Sequence, residues 1–163
     1  MRSSPHWQAL RRRVEHLPAS IAESFRDGCA ALESALRAVP EALADTPWRA
    51  GGWTRKQILG HMIDSAANNH QRFVRAAIDG DYTGPFYQQE AWVEAHGYTA
   101  MSWPVLLRWW QNYHELLIAV VERIPSERLD SPCRVGTNPP VTLAFLIEDY
   151  LAHQQHHLRQ IQS

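Results

Sequence analysis

An all-α bundle of four long helices is the fold that this sequence predicts, and three observations predict it. Apolar residues recur at helical spacing through four separate stretches. Clusters of proline and glycine separate those stretches. No stretch alternates apolar and polar residues in the manner of a half-buried strand. The chain has 163 residues, with no internal repeat, low-complexity segment or linker that would divide it, so a single domain over 1–163 is expected.

Residues 1–17 are polar and basic, with scattered Trp7, Leu10, Val14 and Leu17, and read as an N-terminal arm or short helix. The first long helix is expected from about Pro18 to Ala38, on the spacing of Ile21, Phe25, Ala31, Leu32, Ala35 and Leu36. Gly28 interrupts it at a cost of about 1 kcal/mol relative to alanine. Residues 39–53 form a loop punctuated by Pro40, Pro47, Gly51 and Gly52. The second helix opens on a capping box, Thr54-Arg55-Lys56-Gln57, with Trp53 and Ile58 at the positions of a hydrophobic staple. It runs to about Asp79, where Gly80 stops it.

Residues 80–101 are long for a connection in a compact domain, which points to a functional loop. Phe86, Tyr87, Trp92 and Tyr98 make it too aromatic for a free linker, and Gln89 to Ala95 fit a short helix within it. The third long helix spans about Ser102 to Arg123, with a broad apolar face from Leu106 to Val121. Residues 125–141, with four prolines, form another loop. The last helix begins with Thr142 as N-cap and runs to Gln160. Such long connections allow one or more of them to cross an end of the bundle.

Composition excludes several classes. The formal charge is −1, which gives no electrostatic argument for nucleic acid. The apolar run from Leu116 to Val121 is far too short for a membrane span. Arg11, Arg12 and Arg13 precede no apolar segment, so no signal peptide is expected. Cys29 and Cys133 lack metal-type spacing and read as free thiols of a cytoplasmic protein, a single disulfide being the alternative. Nine histidines and seven tryptophans are the unusual counts, pointing to metal or acid–base work and to a large aromatic core or pocket wall.

The chemistry concentrates near the C-terminus. His153 and His157 are four apart, so on a helix they project from one face and can grip one metal ion. They lie on or beside the stripe that faces the core. A solvated helix end carrying cations that favour the macrodipole is the plainer explanation of His153, His156 and His157. His153 with His156 is the alternative pair, at i and i+3. A tight site needs a third ligand, and His61 is the best candidate. Below it, Asp64, Ser65, Asn68 and Arg72 continue one polar stripe at offsets of 3, 4, 7 and 11. Small hydrogen-bonding residues suit a cleft better than a water-facing surface, which is usually richer in lysine and glutamate. Asp64, one turn from His61, can take a ligand's second N–H, accept a proton or bind the metal. His6, His16, His70, His96 and His114 have no partner spacing and read as surface or loop residues.

The segment Trp53-Thr54-Arg55-Lys56-Gln57-Ile58-Leu59-Gly60-His61-Met62-Ile63-Asp64-Ser65, followed by Asn68 and Arg72, resembles the first-histidine segment of the DinB-like superfamily. His153-Gln154-Gln155-His156-His157-Leu158-Arg159-Gln160-Ile161 resembles its closing H-x-x-x-H-x-x-Q-I segment. The nearer subgroup is the YfiT-like metal-dependent hydrolases, to which bacillithiol S-transferases are related. The resemblance implies a four-helix bundle, often a homodimer, with a three-histidine site for a divalent metal such as zinc or nickel. It places the ligands on His61, His153 and His157, and has no counterpart for residues 1–17.

Three ligands leave an open position, as catalytic sites do. In a thiol S-transferase, a low-molecular-weight thiol loses its proton at the metal and attacks an electrophile. In a hydrolase, water is acidified toward a pKa of about 7. Asp64 is the expected base in either. Asn68 and Arg72 would anchor a substrate carboxylate, and Tyr87 and Trp92 would cover the pocket and exclude water. A non-catalytic metal-binding stress-response protein is the third reading, and it predicts a closed site.

Overall fold

The computed structural model describes residues 20–163, so the arm or short helix expected over residues 1–17 lies outside them. Four long helices are present: α1 (Ile21–Arg37), α2 (Arg55–Asp79), α4 (Trp103–Val121) and α5 (Leu143–Gln162), with a short α3 (Gln89–His96) between α2 and α4. Three of the long helices start on a side-chain cap, and α4 starts on a proline in its first turn. Ser20 caps α1 through a full capping box with Glu23. Thr54 and Gln57 form the expected box at α2, and Gly80 ends that helix with a positive φ of 85°. Thr142 Oγ1 accepts from the Phe145 N–H at 3.1 Å and opens α5.

The pairing of helix faces is less ordinary. α2 packs against α4 and α5, and α1 packs against the same two helices. Helices consecutive in the chain, α1 and α2, therefore occupy diagonal corners, and the connection between them crosses an end of the bundle. Arg55 ties that connection down. Its guanidinium donates to the Ile161 carbonyl at 2.7 Å, to the Thr46 hydroxyl at 2.7 Å and to the Thr46 and Pro47 carbonyls. This fixes the start of α2 against the end of α5, the two helices that carry the clustered histidines.

The absence of strands expected from the sequence needs correction. Three short strands form a small sheet in the order β1-β2-β3, where β1 is Tyr82–Gly84, β2 is Pro132–Val135 and β3 is Val141–Thr142. β1 pairs with β2 in parallel, with Tyr82 opposite Cys133, and β2 pairs with β3 antiparallel. Strands of two to four residues are too short to display a period. Pro132 is tolerated because it stands at the first position of its strand. The sheet clips the two long loops together beside α2 and α5.

The core has two apolar clusters. One gathers Leu36, Ile58, Leu59, Met62, Trp103, Leu106 and Trp110, and the other Phe25, Phe73, Leu117, Leu143, Ile147 and Tyr150. A polar belt lies between them. Gln154 is fully buried, accepts from Trp110 Nε1 at 3.0 Å and donates to the Met62 carbonyl at 3.1 Å. His114, expected at the surface, is buried: its ring stacks on Trp110 with centroids 3.8 Å apart. Its Nδ1–H donates to the Trp110 carbonyl at 2.7 Å, so its Nε2 accepts from the Tyr150 hydroxyl at 2.7 Å. Cys29 and Cys133 are both buried free thiols, pushed by burial up to about 12 and about 11 respectively. No helix among the described residues is long and apolar enough to cross a membrane.

Candidate metal centre and its cavity

His61 comes from the first half of α2, and His153 and His157 from the last half of α5. The Nε2 of His153 lies 3.3 Å from the Nε2 of His61 and 3.0 Å from the Nε2 of His157. One nitrogen from each ring lies within 4.8 Å of the other two. An ion held at about 2.0–2.1 Å by tetrahedral nitrogen ligands requires ligand atoms about 3.3 Å apart. The two separations that involve His153 are thus close to those of a metal site. His156 is exposed, its ring packs edge-on against that of His157 at 5.1 Å and its Nε2 sits 3.3 Å from the Gln160 amide nitrogen, but it is not among the grouped ligand atoms.

The outward nitrogen of each ring has an oxygen nearby. His157 Nδ1–H donates to Gln160 Oε1 at 2.7 Å, His61 Nδ1 lies 3.4 Å from the Tyr87 hydroxyl, and His153 Nδ1 lies 3.4 Å from the Ser65 hydroxyl. In the tautomer that donates each outer N–H to its oxygen, each Nε2 turns a lone pair toward the others. Three facing lone pairs repel one another unless a cation lies between them. Burial, and then the neighbouring imidazoles, push His61 down to about 3 and His153 down to about 4, and burial also lowers His157. The rings are therefore neutral near pH 7, the state in which imidazole binds metal.

These buried neutral histidines predict acid sensitivity. His114, far from the cluster, is likewise pushed by burial down to about 4, against an ordinary value of 6.5. The unfolded chain binds protons that the folded chain refuses, so stability rises with pH in this window. The contribution is complete above about 6.5 and is lost as the pH falls toward 4. Thermal melts in chelator between pH 7.5 and 4.5 are expected to show a steady fall in Tm below pH 6.5. A flat profile would contradict it.

Asp64 is buried one turn beyond His61, but it is not among the grouped ligands. Its Oδ1 accepts from the Tyr98 hydroxyl at 2.6 Å and lies 3.0 Å from His96 Nδ1, while its Oδ2 has no protein partner among the described residues. Burial raises its pKa, and the bonds from Tyr98 and His96 oppose that rise. His96, expected to be a bystander, is a partially exposed partner of this carboxylate. The aromatic loop does fold onto the site. Trp53 lies 5.3 Å from the His61 ring and Tyr87 6.3 Å from it, and Trp92 packs edge-on against Tyr87 at 5.2 Å.

A cavity of about 260 Å³ adjoins the cluster, and His153, Ser65 and Tyr87 border it. Asn69 and Arg72 line it as well, so the polar stripe below His61 does turn inward. Asn68 and Trp92 instead border a shallower depression on the other side of Tyr87, and the Asn68 amide donates to the Asp64 carbonyl at 2.9 Å. The sheet provides part of the wall through Cys133, Val135 and Val141.

Residues 24–161 match the DinB superfamily. The chain belongs to the DinB superfamily. A Bacillus cereus relative, named as a proposed metal-dependent hydrolase, is 28% identical over 150 residues, covering 92% of this chain and 80% of its own. The fold is that of YfiT from Bacillus subtilis, described as a proposed metal-dependent hydrolase with an unusual four-helix bundle topology, at a TM-score of 0.76 and 22% identity over 90% of each chain. It also matches a mycothiol-dependent maleylpyruvate isomerase at a TM-score of 0.71 and 12% identity, over 86% of this chain and 59% of the other.

Within this DinB-superfamily bundle, no site role was expected of Asn69 or His96, and Gln160 entered only as the Q of the closing motif. Gln160 stands three residues after His157, the spacing at which a helix can return a side chain to the ring. Asn69 adjoins Asn68, and one residue of helix phase separates cavity from rim. His96 lies in the loop, where no period reports on contacts.

Proposed function

We propose that this DinB-superfamily protein is a metal-dependent enzyme acting on a small molecule, and that it works as a thiol S-transferase. The observation that carries this reading is the convergence of three neutral imidazoles at the edge of a cavity. His61, His153 and His157 would hold the ion, zinc or nickel. An ion there supplies Lewis acidity, which stabilises the conjugate base of a thiol whose ordinary pKa is about 8.5. A thiol needs only a small fall in pKa to ionise near neutrality, whereas water must fall from about 15.7 to about 7. No carboxylate among the described residues forms an ion pair with any of the three rings, and thiol ionisation needs none.

The chain's own residues have distinct tasks in this scheme. Trp53 and Tyr87 shield the His61 ring from water on two sides. Arg72 is the cation available to a substrate anion, while Asn68 and Trp92 brace the outer side of Tyr87. Asp64 holds the released proton, its unpartnered Oδ2 being the acceptor and His96 its route to solvent. Hydrolysis is the second reading, favoured by the Asp149 carboxylate at the cavity, one helical turn before His153. We further propose a single-domain, cytoplasmic homodimer. The two buried free thiols support the compartment, and sedimentation velocity reads the assembly.

Cobalt-substituted protein tests the reaction class. A small cellular thiol is expected to add an intense near-ultraviolet charge-transfer band, absent in His153→Ala. Asp64→Asn should retain the metal while turnover with a model electrophile falls roughly 10²–10⁴-fold, the usual worth of a positioned proton acceptor. Hydrolysis of an ester without any spectral response to thiols would replace the transferase reading.

A further inference from the structure

Two arginines are buried among the described residues, and they are employed differently. Arg55, 6% exposed, directs its guanidinium to four acceptors on Thr46, Pro47 and Ile161. Arg72, 9% exposed, has one: its Nη1 donates to Asn69 Oδ1 at 3.3 Å. It forms no ion pair among the described residues. None of its nitrogens is both sealed from solvent and without a partner, so the unused N–H groups reach solvent, and Arg72 is among the residues that line the cavity. Burying a guanidinium without an anion is costly, and a structural role of the Arg55 kind would have supplied acceptors.

We propose that Arg72 forms a carboxylate subsite in this cavity, oriented by Asn69, and that the substrate is a small carboxylic acid with an apolar body. Asn69 is itself held, because its amide donates to the Ser65 carbonyl at 2.9 Å, which leaves Oδ1 to fix the guanidinium. A planar fork with free parallel N–H groups matches a carboxylate. Among the described lining residues Arg72 is the single lysine or arginine and Asp149 the single acidic residue, a balance that suits one negative charge on the ligand better than two. Phe86, Phe145, Leu146 and Tyr150 offer the apolar wall against which the rest of the molecule packs. His153 borders the same space, so a ligand anchored on Arg72 presents its far end to the histidine cluster. That last step rests on the enzyme reading above; the anion subsite does not.

The test is a calorimetric titration of benzoate, benzamide and phenylphosphonate into the protein as purified, with metal content measured on the same sample. Benzoate should bind one site per chain, and neutral benzamide at least about tenfold more weakly, the usual margin for a charge-assisted pair. Arg72→Gln should weaken benzoate at least about tenfold with benzamide and metal content unchanged, and Arg72→Lys should recover part of the loss. If Arg72→Gln fails to fold, the benzoate-to-benzamide ratio in the unmodified protein still decides. Equal binding of those two overturns the proposal. So does benzoate affinity that survives Arg72→Gln, which would place the carboxylate at the histidine cluster. Tighter binding of the doubly charged phosphonate overturns the carboxylate class. Benzoate binding with these preferences in a protein whose histidines hold no metal would sink the enzyme reading and leave the subsite standing. A metal-loaded protein that ignores benzoate would do the reverse.

Discussion

Replacing His157 by alanine is expected to weaken divalent-metal binding by at least about 100-fold, whereas replacing its neighbour His156 changes it less than about twofold. The contrast follows from helix geometry. His157 stands one turn from His153, and their Nε2 atoms are 3.0 Å apart; His156 is rotated about 100° and faces solvent. Gln160→Ala should fall between the two, with a loss of roughly 10–100-fold, because Gln160 fixes the His157 ring through Nδ1 without touching the ion. Competition against a chromophoric chelator measures all three. The expected order is His157→Ala, then Gln160→Ala, then His156→Ala. If His156→Ala strips the metal and His157→Ala does not, the choice of ligand pair is wrong. Losing the ion also removes its linkage to folding, so the His157→Ala protein should melt lower only when metal is present.

What could be read in the sequence was whatever depends on local rules. The capping box at Thr54, the stop at Gly80 and the N-cap at Thr142 each concern atoms within four residues of one another, and the structure has all three. The juxtaposition of His153 with His157 is equally local. The approach of His61 to that pair is not local, and what pointed to it was the polar stripe below His61, with the resemblance to DinB-like segments implying the same set. Elements fixed by contacts between distant segments were not legible. The sheet joins Tyr82 to Cys133, and neither strand is long enough to show a period. Gln154 occupies a core position in α5 that an apolar pattern assigns to no one, because its partners, Trp110 and Met62, lie on two other helices. His114 looked superficial for the same reason: its acceptor capacity is met by Tyr150 across the core. The polar stripe of α2 borders the cavity at Ser65 and Arg72, whereas Asn68, one residue of helix phase from Asn69, borders the neighbouring depression.

Gly60→Ala is expected to lower Tm by about 5–15 °C, against the direction that helix propensity alone suggests. Gly60 lies in the interior of α2, where alanine is ordinarily better by about 1 kcal/mol. In this helix, however, a Cβ at position 60 would fall on the ring of Tyr98, well inside van der Waals contact. The clash is not with a movable tip. Tyr98 is 3% exposed, and its hydroxyl is committed to Asp64 at 2.6 Å. Gly28 makes a useful contrast, since its missing Cβ would meet the methyl ends of a half-buried Leu151, which can turn aside. Overpacking costs roughly 1–3 kcal/mol, and pulling Tyr98 away strips a buried carboxylate oxygen of its donor for roughly 1–3 more. Against a propensity gain of about 1 kcal/mol, the net loss is about 1–5 kcal/mol, and its middle value of about 3 kcal/mol, at about 2–4 °C per kcal/mol for a chain of this size, falls within the expected range. Thermal melts followed by circular dichroism measure it, with Tyr98→Phe as the companion variant. That substitution keeps the ring and removes only the hydroxyl, so it should cost less than Gly60→Ala. An unchanged or higher Tm for Gly60→Ala would mean that the loop carrying Tyr98 yields easily. The Asp64–Tyr98–His96 arrangement would then be too soft to hold a proton acceptor in place.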